Sequence, residues 1–281
     1  ASDVYKRQGL DVNFIPMLRG SINPLNEIKT TFYIWKFFKK IKPDIVHLVT
    51  VKPNLYGGII SRLVGVPCVV SAVSGLGTLF AHKDLKIKLL RTLLSPIYRL
   101  ALSHINQKII VQNEEDSKVL VNKYNLDPSK VILLKGSGVK LENFTSFDEP
   151  GGKITVCFAA RLLRDKGIYE FVSAARILKN KGIKARFCIA GNLDTKNPSG
   201  LNMTDINKIK ESGCIEFLGY QKDIAKLYAQ SHIVCLPSYH EGLPKSLIEA
   251  AAASRAIVTT DIPGCRNATV SYTHLTLPTK A

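Results

Sequence analysis

Short apolar runs recur along this chain and alternate with longer stretches of helical period. The runs Val12–Ile15, Asp44–Val49, Cys68–Ala72, Lys108–Val111 and Val131–Leu134 predict one series of strands. Ile154–Ala159, Ala185–Ala190, Ile215–Leu218, Ile233–Leu236 and Ala256–Thr260 predict a second. Helical patterns lie between them, notably over Leu25–Ile41, Asn54–Leu63, Asp84–Ile105, Glu114–Lys123, Gly167–Lys179, Asp223–Ala229 and Pro244–Ala253. Strands separated by helices argue for parallel α/β sheets. The polar stretch Gly136–Lys153, with Glu149-Pro150-Gly151-Gly152 at its end, breaks the alternation. The expected organisation is a Rossmann-like domain over 9–140, a linker over 141–152 and a second Rossmann-like domain over 153–269. Two doubly wound domains facing a cleft would take ligands at the carboxyl ends of their strands.

The ends differ from this pattern. Ala1–Gln8 and Val270–Ala281 do not continue the periodicities beside them and resemble translated sequencing-adaptor sequence. On this reading both domains are incomplete: the first strand and the segments after about Ala268 are missing.

Composition narrows the function classes. The net charge is +17, and it is spread along the chain: 21 Lys/Arg face 12 Asp/Glu up to Pro150, and 18 face 10 beyond it. Phosphates of nucleotides and anionic lipid surfaces are the expected partners. Zinc-ligand spacing, basic-region heptads and aromatic–basic RNA signatures are lacking, so nucleic acid is not expected. The six cysteines are scattered with no CxxC pair, which suits a reducing cytoplasm. No run of about 18 uncharged apolar residues offers a membrane span.

The most informative stretch is His240-Glu241-Gly242-Leu243-Pro244-Lys245-Ser246-Leu247-Ile248-Glu249, between a strand pattern and a helix pattern. Pro244 suits a first helical turn, and Gly242 lets backbone approach a ligand. N–H groups at a helix start favour an anion. Two carboxylates beside such a site repel it unless they bind hydroxyls, which suits a phosphate flanked by two polyols, as in a nucleotide-sugar. The same residues also suit an ordinary strand-to-helix loop with two solvated glutamates. A second loop weighs between these readings. After Phe158-Ala159-Ala160 the chain reads Arg161-Leu162-Leu163-Arg164-Asp165-Lys166-Gly167, which can aim Arg161 and Lys166 at a diphosphate.

With Phe217-Leu218-Gly219-Tyr220, Leu236-Pro237-Ser238-Tyr239 and Thr260-Asp261-Ile262-Pro263-Gly264-Cys265, these motifs cover most of residues 153–266. Together they resemble the retaining glycosyltransferases of family 4, which have the GT-B fold. The resemblance implies a nucleotide-sugar donor, taken as a UDP-sugar, and no metal or other cofactor. It places Arg161 and Lys166 on the diphosphate, Glu249 on the ribose and Glu241 on the donor sugar. Gly242, Leu243 and Pro244 would contact sugar and phosphate, and Gly219 and Tyr220 would flank the base. Gly136-Ser137-Gly138-Val139 resembles the family's hinge, with Ser137 and Gly138 near the donor.

The first half is similar to a subgroup building capsule, O-antigen and N-glycan precursors on undecaprenyl diphosphate. The residues concerned are Arg19-Gly20-Ser21-Ile22-Asn23-Pro24, Thr50-Val51-Lys52-Pro53-Asn54-Leu55-Tyr56-Gly57 and Ser74-Gly75-Leu76-Gly77. The resemblance implies a polyprenyl-diphosphate-linked saccharide as acceptor. Lys52, Gly75 and Gly77 suit its side of the cleft; the glycines also suit a plain turn. His47 suits either a ligand or a packed strand residue, and His240 either a ligand or a loop anchor.

Two basic amphipathic helices suggest a peripheral position on the inner face of the plasma membrane. Lys88, Arg91, Thr92, Ser95 and Arg99 share a face within Asp84–Ile105, which Pro96 should kink. Lys29, Lys36 and Lys40 form a stripe beside Phe32, Tyr33, Trp35, Phe37 and Phe38. Ordinary outer helices with solvated basic faces have the same pattern. Another GT-B-like enzyme (an epimerase or phosphorylase) and a non-catalytic binding module are the alternatives to a transferase. A hydrolase using the two glutamates would leave Arg161 and Lys166 without a role.

Overall fold

Alternating strands and helices resolve into two parallel sheets in a computed structural model. It describes residues 9–17, 23–73, 92, 95–136, 138–144, 148–195, 197–269 and 275–277. The first sheet contains β1 (Ile45–Val49), β2 (Cys68–Val73), β3 (Gln107–Val111) and β4 (Val131–Leu133), adjacent in chain order. Helices α1 (Pro24–Ile41), α2 (Val51–Val64) and α3 (Glu114–Tyr124) accompany it. The second sheet contains β5 (Thr155–Ala159), β6 (Arg186–Ala190), β7 (Glu216–Gly219), β8 (Ile233–Leu236), β9 (Ala256–Thr260) and β10 (Leu275–Leu277), in the order β10-β9-β8-β5-β6-β7. Helices α4 (Ile168–Asn180), α5 (Met203–Glu211), α6 (Ile224–Ala229), α7 (Lys245–Ala252) and α8 (Pro263–Ala268) belong to this half.

Every strand pair is parallel. Between β5 and β8 the order jumps, which is the switch point where an α/β sheet opens a crevice at its strand ends. Cys157, Phe158, Cys188, Ile189, Val234, Leu236 and Ile257 form the core of this half, with Ile168, Phe171, Tyr228 and Leu247 packed on them from the helices. The thiols of Cys157 and Cys188 are therefore core groups; they face each other across paired positions of β5 and β6. The first half has two smaller cores. One joins Ile34 and Phe38 of α1 to Val46, Leu48 and Ile60; the other joins Tyr98 and Leu102 to Ile109, Val111 and Leu120.

Several expectations change. Val12–Ile15 forms no strand: Pro16 cannot donate to a ladder, and its carbonyl accepts the Thr30 hydroxyl at 2.7 Å. Residues 15–17 therefore lie against α1, with Ile15 and Met17 partly buried at the edge of its core, while residues 9–14 are exposed. The chain also forms α5, which the sequence reading does not include. A reciprocal cap starts it: Asn202 accepts the Asp205 N–H, and the Asp205 carboxylate accepts the Asn202 N–H. Of the predicted helix over Asp84–Ile105, residues 95–101 are helical; Lys88 and Arg91 lie outside the described residues, as do Arg19 to Ile22, Gly75, Gly77 and Ser137. Within the tail read as foreign, residues 275–277 pair with β9. The aromatic row of α1 is divided. Phe38 is buried and Phe37 packs on the core, whereas Phe32 and Tyr33 are exposed.

Candidate functional site

Two loops at the carboxyl end of the second sheet are held against each other by their backbones. Gly167 ends the turn after β5 at φ 76°, and a Cβ there would overlap the Pro237 carbonyl. Only glycine allows both the conformation and the approach. The Tyr239 N–H and the Ser238 hydroxyl then donate to the Asp165 carbonyl at 2.9 and 3.0 Å. These contacts bring Lys166 to Glu241: Nζ donates to Oε1 at 2.5 Å, with the side chains 20% and 9% exposed. The Tyr239 hydroxyl donates to Glu170, which holds its proton and lifts it to about 12.

Helix α7 begins one residue later than predicted, with Pro244 in extended backbone as its cap. The N–H groups of Leu247 and Ile248 both reach the Pro244 carbonyl. Leu247 and Ala250 face the core, which leaves Glu249 turned to the cleft with its side chain 13% exposed. Its ion-pair partner is Lys245 at 3.3 Å, a lysine mostly in solvent. Arg161, at the end of β5, extends to Asp194 at 2.8 Å.

A cavity of about 1280 Å³ opens beside these loops. Arg161, Gly191 and Asn192 line one wall, Tyr220 to Ala225 a second, and Lys245, Ser246 and Glu249 a third. Gly138 to Lys140, from the stretch joining the two halves, close it on a further side. The cavity thus brings together Arg161, Gly138, Tyr220 and Glu249. Lys166, Glu241, Gly242, Leu243, Pro244 and Gly219 stand outside its lining; of these only Gly219 and Pro244 directly adjoin lining residues in the chain. Tyr228 also lines the cavity; its hydroxyl is buried without a hydrogen-bond partner among the described residues, and burial raises its proton affinity.

The first-half candidates are placed differently. Lys52 lies in the first turn of α2, just after β1, and pairs with Glu27 of α1 at 2.8 Å. Glu27 also accepts the Tyr56 hydroxyl at 2.5 Å. His47 alternates with the buried Val46 and Leu48 and is exposed on the opposite face of β1. His240 is half-buried, and its Nε2 has no partner among the described residues. Among those residues no cluster of three His, Cys, Asp or Glu could hold a metal ion.

Sequence reasoning missed Asn192, Lys140 and Asp194. Gly191-Asn192 directly follows a strand, and position at a strand end is the signal that points to it. Thr50 was also missed as a special position: it has φ 74° and ψ 170°, a region that strongly favours glycine, at the turn from β1 into α2. No sequence signal announces that strain.

Comparison with known proteins agrees with the fold. Residues 139–274 match the family described as glycosyl transferases group 1, and residues 2–113 match the glycosyl transferase 4-like family. The chain is 31% identical to the N,N'-diacetylbacillosaminyl-diphospho-undecaprenol alpha-1,3-N-acetylgalactosaminyltransferase of Campylobacter jejuni, over 92% of this chain and 69% of that protein. It is 29% identical to the UDP-Gal:alpha-D-GlcNAc-diphosphoundecaprenol alpha-1,3-galactosyltransferase of Escherichia coli, over 89% and 66%. The chain thus spans about two thirds of the length of these relatives. Among solved structures, the Anabaena protein Alr3699/HepE in complex with UDP-glucose superposes with a TM-score of 0.73 at 14% identity, covering 99% of this chain and 75% of that one. Sucrose-phosphate synthase from Thermosynechococcus elongatus gives 0.74 at 17%, covering 90% and 65%. The chain belongs to the family 4 glycosyltransferases, with the two Rossmann-like sheets of the GT-B fold.

Proposed function

We propose that this chain transfers a hexosyl or N-acetylhexosaminyl group from a UDP-sugar to a polyprenyl-diphosphate-linked saccharide, with retention at the anomeric carbon. The observation that carries the reading is the 1280 Å³ cavity at the sheet's switch point, which joins a cation, Arg161, to an inward-turned carboxylate, Glu249. The names of the Campylobacter and Escherichia relatives support the acceptor class.

In this reading Glu249 accepts hydrogen bonds from the ribose hydroxyls, and Tyr220 with Gly219 borders the base. Gly138 borders the donor from the joining stretch. Arg161 and Lys166 exchange Asp194 and Glu241 for the donor diphosphate. Their charge then stabilises the negative charge that grows on the departing UDP. Released from Lys166, Glu241 takes the hydroxyls of the donor sugar, with the backbone of Gly242 to Pro244 beside it. The acceptor hydroxyl forms its bond to the anomeric carbon on the face that UDP leaves. Its proton passes to the leaving diphosphate, so neither a metal nor a side-chain base is required. His47 and Lys52 belong to the acceptor side of the cleft.

The acceptor's lipid places the working site at a membrane surface on the cytoplasmic side. No helix among the described residues is long and apolar enough to cross a membrane. Helix α1 offers peripheral contact instead: Leu25, Ile28 and Phe32 are exposed beside Lys29 and Lys36, and Lys39 sits over the Trp35 ring at 4.4 Å. The test is a donor screen by calorimetry. UDP-sugars binding in preference to GDP-sugars supports the reading; no binding of any uridine nucleotide refutes it.

A further inference from the structure

The loop carrying Glu241 is gripped from the other half of the molecule. Asn113, 2% exposed, follows β3 and caps α3, its Oδ1 accepting the Asp116 N–H at 2.8 Å. The cap needs only that oxygen, and serine or aspartate would serve as well. The amide nitrogen does more. Nδ2 donates to the buried Asp116 carboxylate at 2.9 Å and to the Gly242 carbonyl at 3.4 Å, 129 residues away along the chain. The next residue is held too. Gly136, at φ 66°, leaves the space that Leu243 fills, and a Cβ there would overlap the leucine side chain. A third contact across the halves, Arg266 to Glu115 at 3.3 Å, is about half exposed and contributes little. The two residues after Glu241 are therefore anchored to the first half, one by its carbonyl and one by its side chain.

Glu249 is anchored differently. Its helix packs through Leu247 and Ala250 into the core of the second half. Glu249 thus takes its position from the second half, whereas the Glu241 loop is held from both: Gly264 of α8 packs against the Glu241 and Gly242 carbonyls, and Asn113 and Gly136 hold it from the other side. We propose that Asn113 is a positioning residue for the donor sugar: it fixes the Gly242 peptide and through it the direction of the Glu241 carboxylate. The inference rests on the donor-site reading above and adds to it that sugar recognition, unlike ribose recognition, depends on how the two halves meet.

Asn113→Ser separates the two roles, because serine keeps the cap and is too short to reach Gly242. Calorimetry on the full chain compares UDP with UDP-galactose and UDP-N-acetylgalactosamine. In the variant the UDP affinity stays within about twofold, while the affinity for a UDP-sugar falls roughly tenfold. Gly136→Ala, which displaces Leu243, lowers the same ratio of affinities independently and serves if the serine variant does not fold. An unchanged ratio in the folded variants, or an equal loss for UDP and UDP-sugar, overturns the proposal while leaving the donor site standing. A wild-type chain that binds neither ligand removes the donor-site reading and this proposal with it.

Discussion

Replacing Glu249 by alanine tests the proposed ribose contact with little disturbance to the fold. In the free protein the carboxylate has one ion-pair partner, Lys245, at 3.3 Å, and that lysine is 64% exposed. An exposed i,i+4 pair contributes about 0.3–0.5 kcal/mol, and the order lysine-before-glutamate is the weaker one. Alanine is the better helix former, which offsets part of that loss. The stability of Glu249→Ala should therefore stay within about 0.5 kcal/mol of wild type, a melting shift of about two degrees or less. Binding should respond far more. Hydrogen bonds to a charged acceptor contribute about 1.5–3 kcal/mol, equivalent to a roughly 10- to 150-fold loss of UDP affinity. Calorimetry with UDP and 2′-deoxy-UDP on both proteins completes a double cycle. Wild type should prefer UDP, and the variant should discriminate much less. Unchanged UDP affinity in Glu249→Ala refutes the ribose assignment.

Lys166→Met leaves Glu241, 9% exposed, without its cation, and should lower the chemical-denaturation stability by about 1–3 kcal/mol. A stability equal to wild type would show that the pair contributes nothing in the free protein. Gly167→Ala adds both a clash with Pro237 and a left-handed strain, so it should cost at least about 2 kcal/mol by the same measurement. Thr50→Gly should be stabilising by about 1 kcal/mol, the strain at φ 74° less the entropy of glycine. The lysines of α1 should each add about 1 kcal/mol on an anionic surface. Sedimentation should accordingly show binding to phosphatidylglycerol vesicles, none to phosphatidylcholine, and loss of binding on combining Lys29→Glu and Lys36→Glu; equal binding to both vesicle types refutes the membrane face.

The periodicity of the chain carries most of the sheet architecture, because a parallel strand buried on both faces is a continuous apolar run. Nine of the ten predicted strands have a counterpart within about two residues; Val12–Ile15 fails because apolar alternation says nothing about whether a neighbour can accept its hydrogen bonds. Helix α5 was illegible for the opposite reason. Its apolar face, Ile206 and Ile209, is too short to show a period, and its reciprocal cap shows only once folded. The candidate loops were legible as strand ends rich in charge. Their pairing was not: Arg161 meets Asp194 33 residues on, and Lys166 meets Glu241 75 residues on. Sequence supplies the charges; the β5–β6 adjacency brings Arg161 to Asp194, and the β5–β8 adjacency brings Lys166 to Glu241.

Those pairings alter what the strongly basic composition means at the cleft. Arg161, Lys166 and Lys245 are three of the cations nearest the candidate donor site, and each has a carboxylate within 3.3 Å. An incoming diphosphate therefore meets cations already partnered, and its gain is the difference between two sets of ion pairs. That difference is largest where the original partner finds a new one. Asp194, 20% exposed, keeps part of its hydration when its arginine turns away. Glu241, 9% exposed, keeps much less. Its release from Lys166 is favourable only if hydroxyls of the donor sugar receive it. Donor diphosphate without a sugar leaves that carboxylate unsatisfied, so the Lys166–Glu241 pair itself favours the intact nucleotide-sugar over the free nucleotide. In Glu241→Gln the amide no longer repels a bare diphosphate, and UDP should gain affinity relative to UDP-sugar; a variant that loses affinity for both equally would contradict the exchange.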